Sequence, residues 1–242
     1  MPDMKRSLAY LCLKETKLSR SRLGQRLEIE PAPQFKRYAV AEKIPLPREF
    51  SDAGEPNLWE LLQSRRSRRT YSQEPISLHQ LAALCWAAQG ITAKAGEYYL
   101  RTAPSAGALY PIETYIAANR VDGLPKGLFH FDVTGFQLEC LAKGDFIQQV
   151  AEISLGQGFI KKASTIFIFS AIHRRTMAKY GNRGLRYIFM DVGHIAQNLL
   201  LAAEALKLKA CPVAALFDDE MNDLLDLDGE EETAIYLVAI GT

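Results

Sequence analysis

The chain has 242 residues, 48% hydrophobic and 24% charged, with a net charge of +1. That is enough apolar material for a sizeable core and too little net charge to draw the chain as a whole to nucleic acid or an acidic membrane. No stretch reaches the length of a membrane span. The four cysteines, Cys12, Cys85, Cys140 and Cys211, have neither disulfide-framework nor zinc-site spacing. Each is expected to pack as a small apolar side chain in a reducing compartment. The N-terminus lacks the apolar run of a signal peptide, so a cytoplasmic protein is expected, with no metal centre.

Residues 1–50 differ from the rest. They are basic early on, at Lys5, Arg6, Lys14, Lys17, Arg20, Arg22 and Arg26, and end among Pro31, Pro33, Pro45 and Pro47. Beyond a short helix around Leu8 to Lys14, this stretch reads as an extended arm that needs a surface to lie on, its own core or a partner subunit. Residues 51–242 form the main domain. A helix starts at Asn57, with Glu60 as capping-box partner, and runs into Arg65 and Arg66. Ser77 and Gln80 form a second capping box, opening a helix that ends at Gly90. Ile112 to Ala118 alternates as a strand. Leu128 to Asp132 and Phe136 to Leu141 read as a hairpin about Val133-Thr134-Gly135. Ser164 to Ile172 is a nearly continuous apolar run, as in a strand buried on both faces.

The strongest periodicity lies between Leu185 and Leu206, where Leu185, Ile188, Phe189, Val192, Ile195, Ala196, Leu199, Ala203 and Leu206 make one broad stripe. A strand (Cys211 to Phe217), a short helix (Asp218 to Leu225) and a last strand (Ala234 to Ile240) complete an α+β pattern of helices around a central sheet.

Several segments carry chemistry. Arg65, Arg66, Ser67, Arg68 and Arg69 put four guanidiniums and a hydroxyl into one short turn, a donor set suited to a phosphate monoester. A lone run of this kind is more often a solvated basic face. A nucleic-acid patch would need further basic and aromatic positions that are missing. Pro104-Ser105-Ala106-Gly107-Ala108 is a small-residue loop that lets backbone approach a flat ligand, and equally an ordinary connection. Cys211-Pro212-Val213-Ala214-Ala215 fits either a backbone donor to a ring edge or a buried strand. Lys179-Tyr180 suits a base with a proton relay, although such a dipeptide is commonly surface decoration. His194, inside the long helix, reads as a satisfied core histidine. No G-x-G-x-x-G, P-loop, H-E-x-x-H or G-x-S-x-G motif is present.

Taken in order, these segments resemble the nitroreductase family. Arg65-Arg66-Ser67-Arg68-Arg69-Thr70-Tyr71 is similar to its flavin-phosphate motif. Pro104 to Pro111 with Glu113 and Tyr115, and Lys179-Tyr180-Gly181-x-Arg183-x-x-Arg186-Tyr187 running into Asp191-x-Gly193-His194-x-x-Gln197-Asn198-Leu199, are similar to the SagB/ThcOx-type branch. The resemblance implies the family's α+β fold, a mostly antiparallel central sheet surrounded by helices. It also implies an interlocked homodimer with FMN in two sites at the interface. Arg65, Arg66, Ser67 and Arg69 would hold the phosphate and ribityl end. Pro104, Ser105, Ala106 and Gly107 would line the ring, and the Ala214 and Ala215 backbone would lie near its N5 and O4 edge.

The branch oxidises azolines in peptides to azoles, a base taking a proton while a hydride passes to flavin N5. Lys179 and Tyr180 match its catalytic pair. The alternatives are an NAD(P)H-dependent reductase of small aromatic acceptors and a non-catalytic flavin-binding module. The expected partners are a second copy of the chain and a small-molecule or modified-peptide substrate, without nucleic acid or membrane. The pattern departs from the family in three places. Lys207 stands for a glycine, and Ala215 for the glycine near N5. The sequence ends at Gly241-Thr242, where many members continue into a basic tail, which leaves Arg68 as a further cation for the phosphate.

Overall fold

The computed structural model describes residues 8–16, 27–48 and 57–242. The early basic positions Lys5, Arg6, Lys17, Arg20, Arg22 and Arg26 lie outside them. In chain order, α1 (Leu8–Glu15), β1 (Glu42–Pro45) and α2 (Leu58–Ser64) precede β2 (Ile76–Ser77), which leads directly into α3 (Leu78–Gln89). Next come β3 (Ile91–Ala95), β4 (Tyr98–Arg101), β5 (Ile112–Ala118), β6 (Val121–Asp122), β7 (Gly127–Asp132) and β8 (Gln137–Lys143). The rest is α4 (Ile147–Ile153), β9 (Thr165–Ile172), α5 (His173–Tyr180), α6 (Gly184–Ala205), β10 (Lys209–Val213), α7 (Asp218–Leu225) and β11 (Glu232–Gly241).

One seven-stranded sheet, in the order β1-β8-β7-β5-β9-β11-β10, organises the molecule, and all its pairings are antiparallel. β9 is buried on both faces, as its sequence predicts. Phe167 and Phe169 join the core that α3 and α6 cover with Leu81, Leu84, Ile188, Ile195 and Leu199. Ile166 and Ile168 join the opposite core, with Ile147, Val150, Met221 and Leu225 of α4 and α7. This is the period-two alternation of a central strand.

The described part of the arm lies on its own chain. β1 pairs with β8 from Glu42 opposite Cys140 to Pro45 opposite Gln137, so the first 50 residues supply an edge strand of the main sheet. Lys36 reaches Glu232 at 2.5 Å and the Tyr115 hydroxyl at 2.7 Å, and the Tyr38 amide donates to Glu139.

Several expectations need correction. Asn57 caps α2 by accepting from the Trp59 amide at 2.9 Å, with no reciprocal bond from Glu60, whereas the Ser77–Gln80 box is complete. The strand expected to reach Phe217 stops at Val213, because its partner β11 pairs with it only as far as Leu237. Cys12 is exposed and Cys140 half-buried, leaving only Cys85 and Cys211 fully packed. His194 is on the exposed side of α6 rather than in the core, and Phe189, placed on the apolar stripe, is 54% exposed. The hairpin of β3 and β4, and helices α4 and α5, are additions. α5 begins where β9 ends and carries mostly charged and polar residues, so apolar periodicity does not mark it.

Candidate active site

The loop between β4 and β5 meets the end of α5 and the first half of α6. Ser105 donates to Asp191 of α6 at 2.5 Å and accepts from the Tyr110 amide at 2.9 Å. The Ala106 amide also points to Asp191, at 3.4 Å. The loop is tightly wound, with Gly107 at φ +66°, Ala108 at +55° and Tyr110 at +46°. Burial raises the pKa of Asp191, and the Ser105 hydroxyl and Ala106 amide oppose that rise.

Gly107 lies against the Lys179-Tyr180 pair. A Cβ added to Gly107 would sit 2.6 Å from the Tyr180 hydroxyl oxygen and 2.9 Å from Lys179 Nζ. Only glycine combines this backbone with such close approach. Tyr180 is held edge-on against Tyr187, with ring centroids 5.0 Å apart. Gly181, at φ +57°, ends α5 and turns the chain into α6. Gly184 then lets α6 approach closely, since a Cβ there would meet the Met177 backbone at 3.1 Å. Lys179 itself remains exposed. The structure thus brings together Ser105, Ala106, Gly107, Lys179 and Tyr180, with Pro104 exposed at the start of the loop.

The remaining candidates gather elsewhere. Ser67 bridges Ala210 in parallel and the Arg68 amide donates to the Ala210 carbonyl at 2.9 Å, so the arginine turn runs along the outer edge of β10. Ala214 and Ala215 follow β10 and are exposed. Ala215 is not among the positive-φ residues, so an alanine fits where the family has glycine. Arg66 curls back to the carbonyls of Gln63 and Arg65 at 3.0 and 2.8 Å. Arg68 pairs with Glu204 at 3.2 Å, so it is already engaged by a carboxylate. The Arg69 guanidinium sits 5.7 Å from the Phe159 ring and beside Cys211, whose thiol is pushed up by burial against the opposing pull of Arg69. Among the described residues nothing pairs with the Arg65 guanidinium.

These two groups sit near opposite ends of α6. Asp191 anchors one and Glu204 touches the other, about 20 Å apart at the helical rise. One chain therefore carries the arginine turn and the Lys179 pocket as separate halves, although their sequence motifs suggest a single clamp.

Two further residues contribute in roles that the sequence motifs do not assign. Asp191 falls on the apolar stripe between Ile188 and Ile195, and a carboxylate on a buried helix face is a signal worth following. Arg175 is 2% exposed and meets the Glu113 carboxylate at 2.5 Å. Burial alone would raise Glu113; the Arg175 guanidinium, with His130 hydrogen-bonded at 2.9 Å, overrides it and holds the carboxyl down at about 2. His130 lies between Glu113 and Glu139, and these two acceptors outweigh its burial and raise its pKa.

Comparison with known proteins identifies the family. The Nitroreductase family model matches residues 62–242. A protein of Methanocaldococcus jannaschii named as a nitroreductase is 34% identical over 193 residues, covering 80% of this chain and 94% of its own length. The trifolitoxin-processing protein TfxB of Rhizobium leguminosarum bv. trifolii is 29% identical over 154 residues, 58% of this chain and 39% of the relative. This chain thus spans well under half of that toxin-processing protein. A crystal structure from Ralstonia eutropha JMP134, described as a nitroreductase, superposes with a TM-score of 0.70 at 28% identity, over 89% of this chain and 98% of the other. The chain belongs to the nitroreductase family and is an oxidoreductase of that fold.

Proposed function

We propose that the protein is a homodimeric FMN-dependent dehydrogenase of the SagB type that oxidises azolines in peptides to azoles. The observation that carries this reading is the contact of Gly107 with both Lys179 and Tyr180, a candidate base and hydroxyl against a loop that only a glycine can close. The residues fit the cofactor. Ala215 has an ordinary backbone at the proposed ring edge, and the Arg65 guanidinium is unengaged among the described residues, free for a phosphate. Arg65, Arg66, Ser67 and Arg69 would hold the phosphate and ribityl end. Pro104 to Gly107 would line the ring, with Ala214 and Ala215 at its edge. When bound, FMN supplies a two-electron acceptor for hydride.

The chain's own share is the proton. Converting an azoline to an azole removes one proton and one hydride. The Lys179 amine takes the proton, with the Tyr180 hydroxyl beside it as relay. Tyr187 fixes the Tyr180 ring, and Asp191 fixes the loop through Ser105.

The separated halves support the dimer. An isologous interface would set one protomer's arginine turn near its partner's Lys179 pocket. Exposed apolar side chains supply material for such an interface: Leu58, Trp59 and Leu62 on α2, and Phe189 and Met190 on α6. The likeness to a toxin-processing protein supports the peptide substrate. Cytoplasmic residence is part of the same proposal; among the described residues no helix is long and apolar enough to cross a membrane.

The greater coverage of the Methanocaldococcus relative favours a second reading, an NAD(P)H-dependent reductase of small aromatic acceptors. Adding NAD(P)H to the flavin-loaded protein separates them. Rapid bleaching with nitroaromatic turnover supports the reductase, and turnover of a thiazoline peptide that vanishes in Lys179→Ala, with FMN retained, supports the dehydrogenase. Slow reduction by every donor would indicate a non-catalytic flavin module.

A further inference from the structure

Arg175 stands where three parts of the site meet. It lies one helical turn before Lys179 on α5. Its Nε donates to the Pro33 carbonyl of the arm at 2.6 Å. Its Nη1 donates to the Tyr110 carbonyl, at the end of the ring-lining loop, at 3.0 Å, and meets Glu113 of β5 at 2.5 Å. Beside it a cavity of about 680 Å³ opens onto Lys179, walled by Leu27 to Pro31 of the arm, Leu109 and Ala178. A guanidinium presents several donors in a rigid plane, which a lysine ammonium cannot reproduce.

We propose that Arg175 is a positioning residue that latches the N-terminal arm onto the catalytic helix and the loop, so that residues 27–31 form the substrate-facing wall over Lys179. The arm is then part of the active site. Glu113 fixes the guanidinium from below, and Arg175 spans the remaining gap to the two carbonyls. Of the arm's other described anchors, Thr16 to Arg183 and Arg186 lies well before Leu27, while Lys36 to Glu232 and β1 to β8 begin after Pro33. The latch at Pro33 is therefore the nearest described hold on the wall. The functional part of this inference rests on the proposed dehydrogenase reading; the latch itself does not.

The test compares wild type with Arg175→Lys and Arg175→Met in the full chain. Trypsin cleavage after Lys36 in the folded protein, located by mass spectrometry before any flavin or substrate is added, reports opening of the arm. Both variants should be cut at least about tenfold faster, the size expected for losing a charge-assisted hydrogen bond. With FMN and a thiazoline-containing model peptide, KM should rise about as much while kcat changes less. If Arg175 serves only as a charge partner for Glu113, Arg175→Lys will match wild type in cleavage and KM, and the proposal is overturned. Should Arg175→Met fail to fold, Arg175→Lys alone decides. A wild type without flavin or turnover defeats the dehydrogenase reading and leaves the cleavage result to decide the latch; slow cleavage with intact turnover does the reverse.

Discussion

At residue scale, Gly107 is the most constrained position of the site. Replacing it with alanine puts a methyl group into the Tyr180 hydroxyl and the Lys179 amino group and forces a side chain to φ +66°. Gly107→Ala is expected to lower stability by about 1–2 kcal/mol and turnover by a larger factor than its melting temperature suggests, because the displaced groups are those proposed to handle the proton. Unchanged turnover in a folded Gly107→Ala protein would remove the contact from the mechanism. Glu113 gives a pH signature. Its folded carboxyl, at about 2, lies below the ordinary 4.5, so it contributes stability that is present above about pH 4.5 and lost as pH falls towards about 2. The stability gap between wild type and Glu113→Gln should narrow over that interval in denaturation curves. A gap that stays constant there would mean that Glu113 is not held ionised by Arg175 and His130.

At the scale of elements, the C-terminus of α6 shows how a departure from the family pattern is absorbed. Lys207 takes φ +59°, its amide donating to the Glu204 carbonyl and the Leu208 amide to that of Ala203. This is the bond pair of a Schellman cap, normally closed by glycine. Lys207→Gly should therefore stabilise the protein by about 0.5–1 kcal/mol without altering flavin binding, as chemical denaturation would show. Much of this level is readable from the chain. β5 and α7 appear with their expected bounds, and the Ser77–Gln80 box and the two-faced burial of β9 follow from local pattern. What escapes is structure whose pattern is set by distant partners. β1 looks like a proline-flanked arm because it is an edge strand. α5 looks like a charged loop because Arg175 is buried only through partners on other segments, Glu113, Pro33 and Tyr110. The motif residues are legible one by one, but their division into two groups is not, since nothing local states that α6 separates Ser105 from Arg68 by most of its length.

At the scale of the whole molecule, that division is what an assembly must resolve. Trp59 is 75% exposed and Phe189 54%, large apolar surfaces with no cover within one chain. Sedimentation should give a dimer, and Trp59→Asp with Phe189→Asp should yield a folded monomer with markedly weaker flavin binding. A wild-type monomer that binds FMN tightly would show that one chain completes the site alone.

The most direct measurement is the flavin content and visible spectrum of the protein purified without added cofactor, repeated after incubation with FMN, for wild type and for Arg65→Ala/Arg69→Ala. The proposed site predicts a yellow dimer holding stoichiometric FMN, with affinity in the double variant lower by about tenfold or more. A wild-type protein that stays colourless after incubation, or a double variant that binds FMN as tightly as wild type, would contradict it.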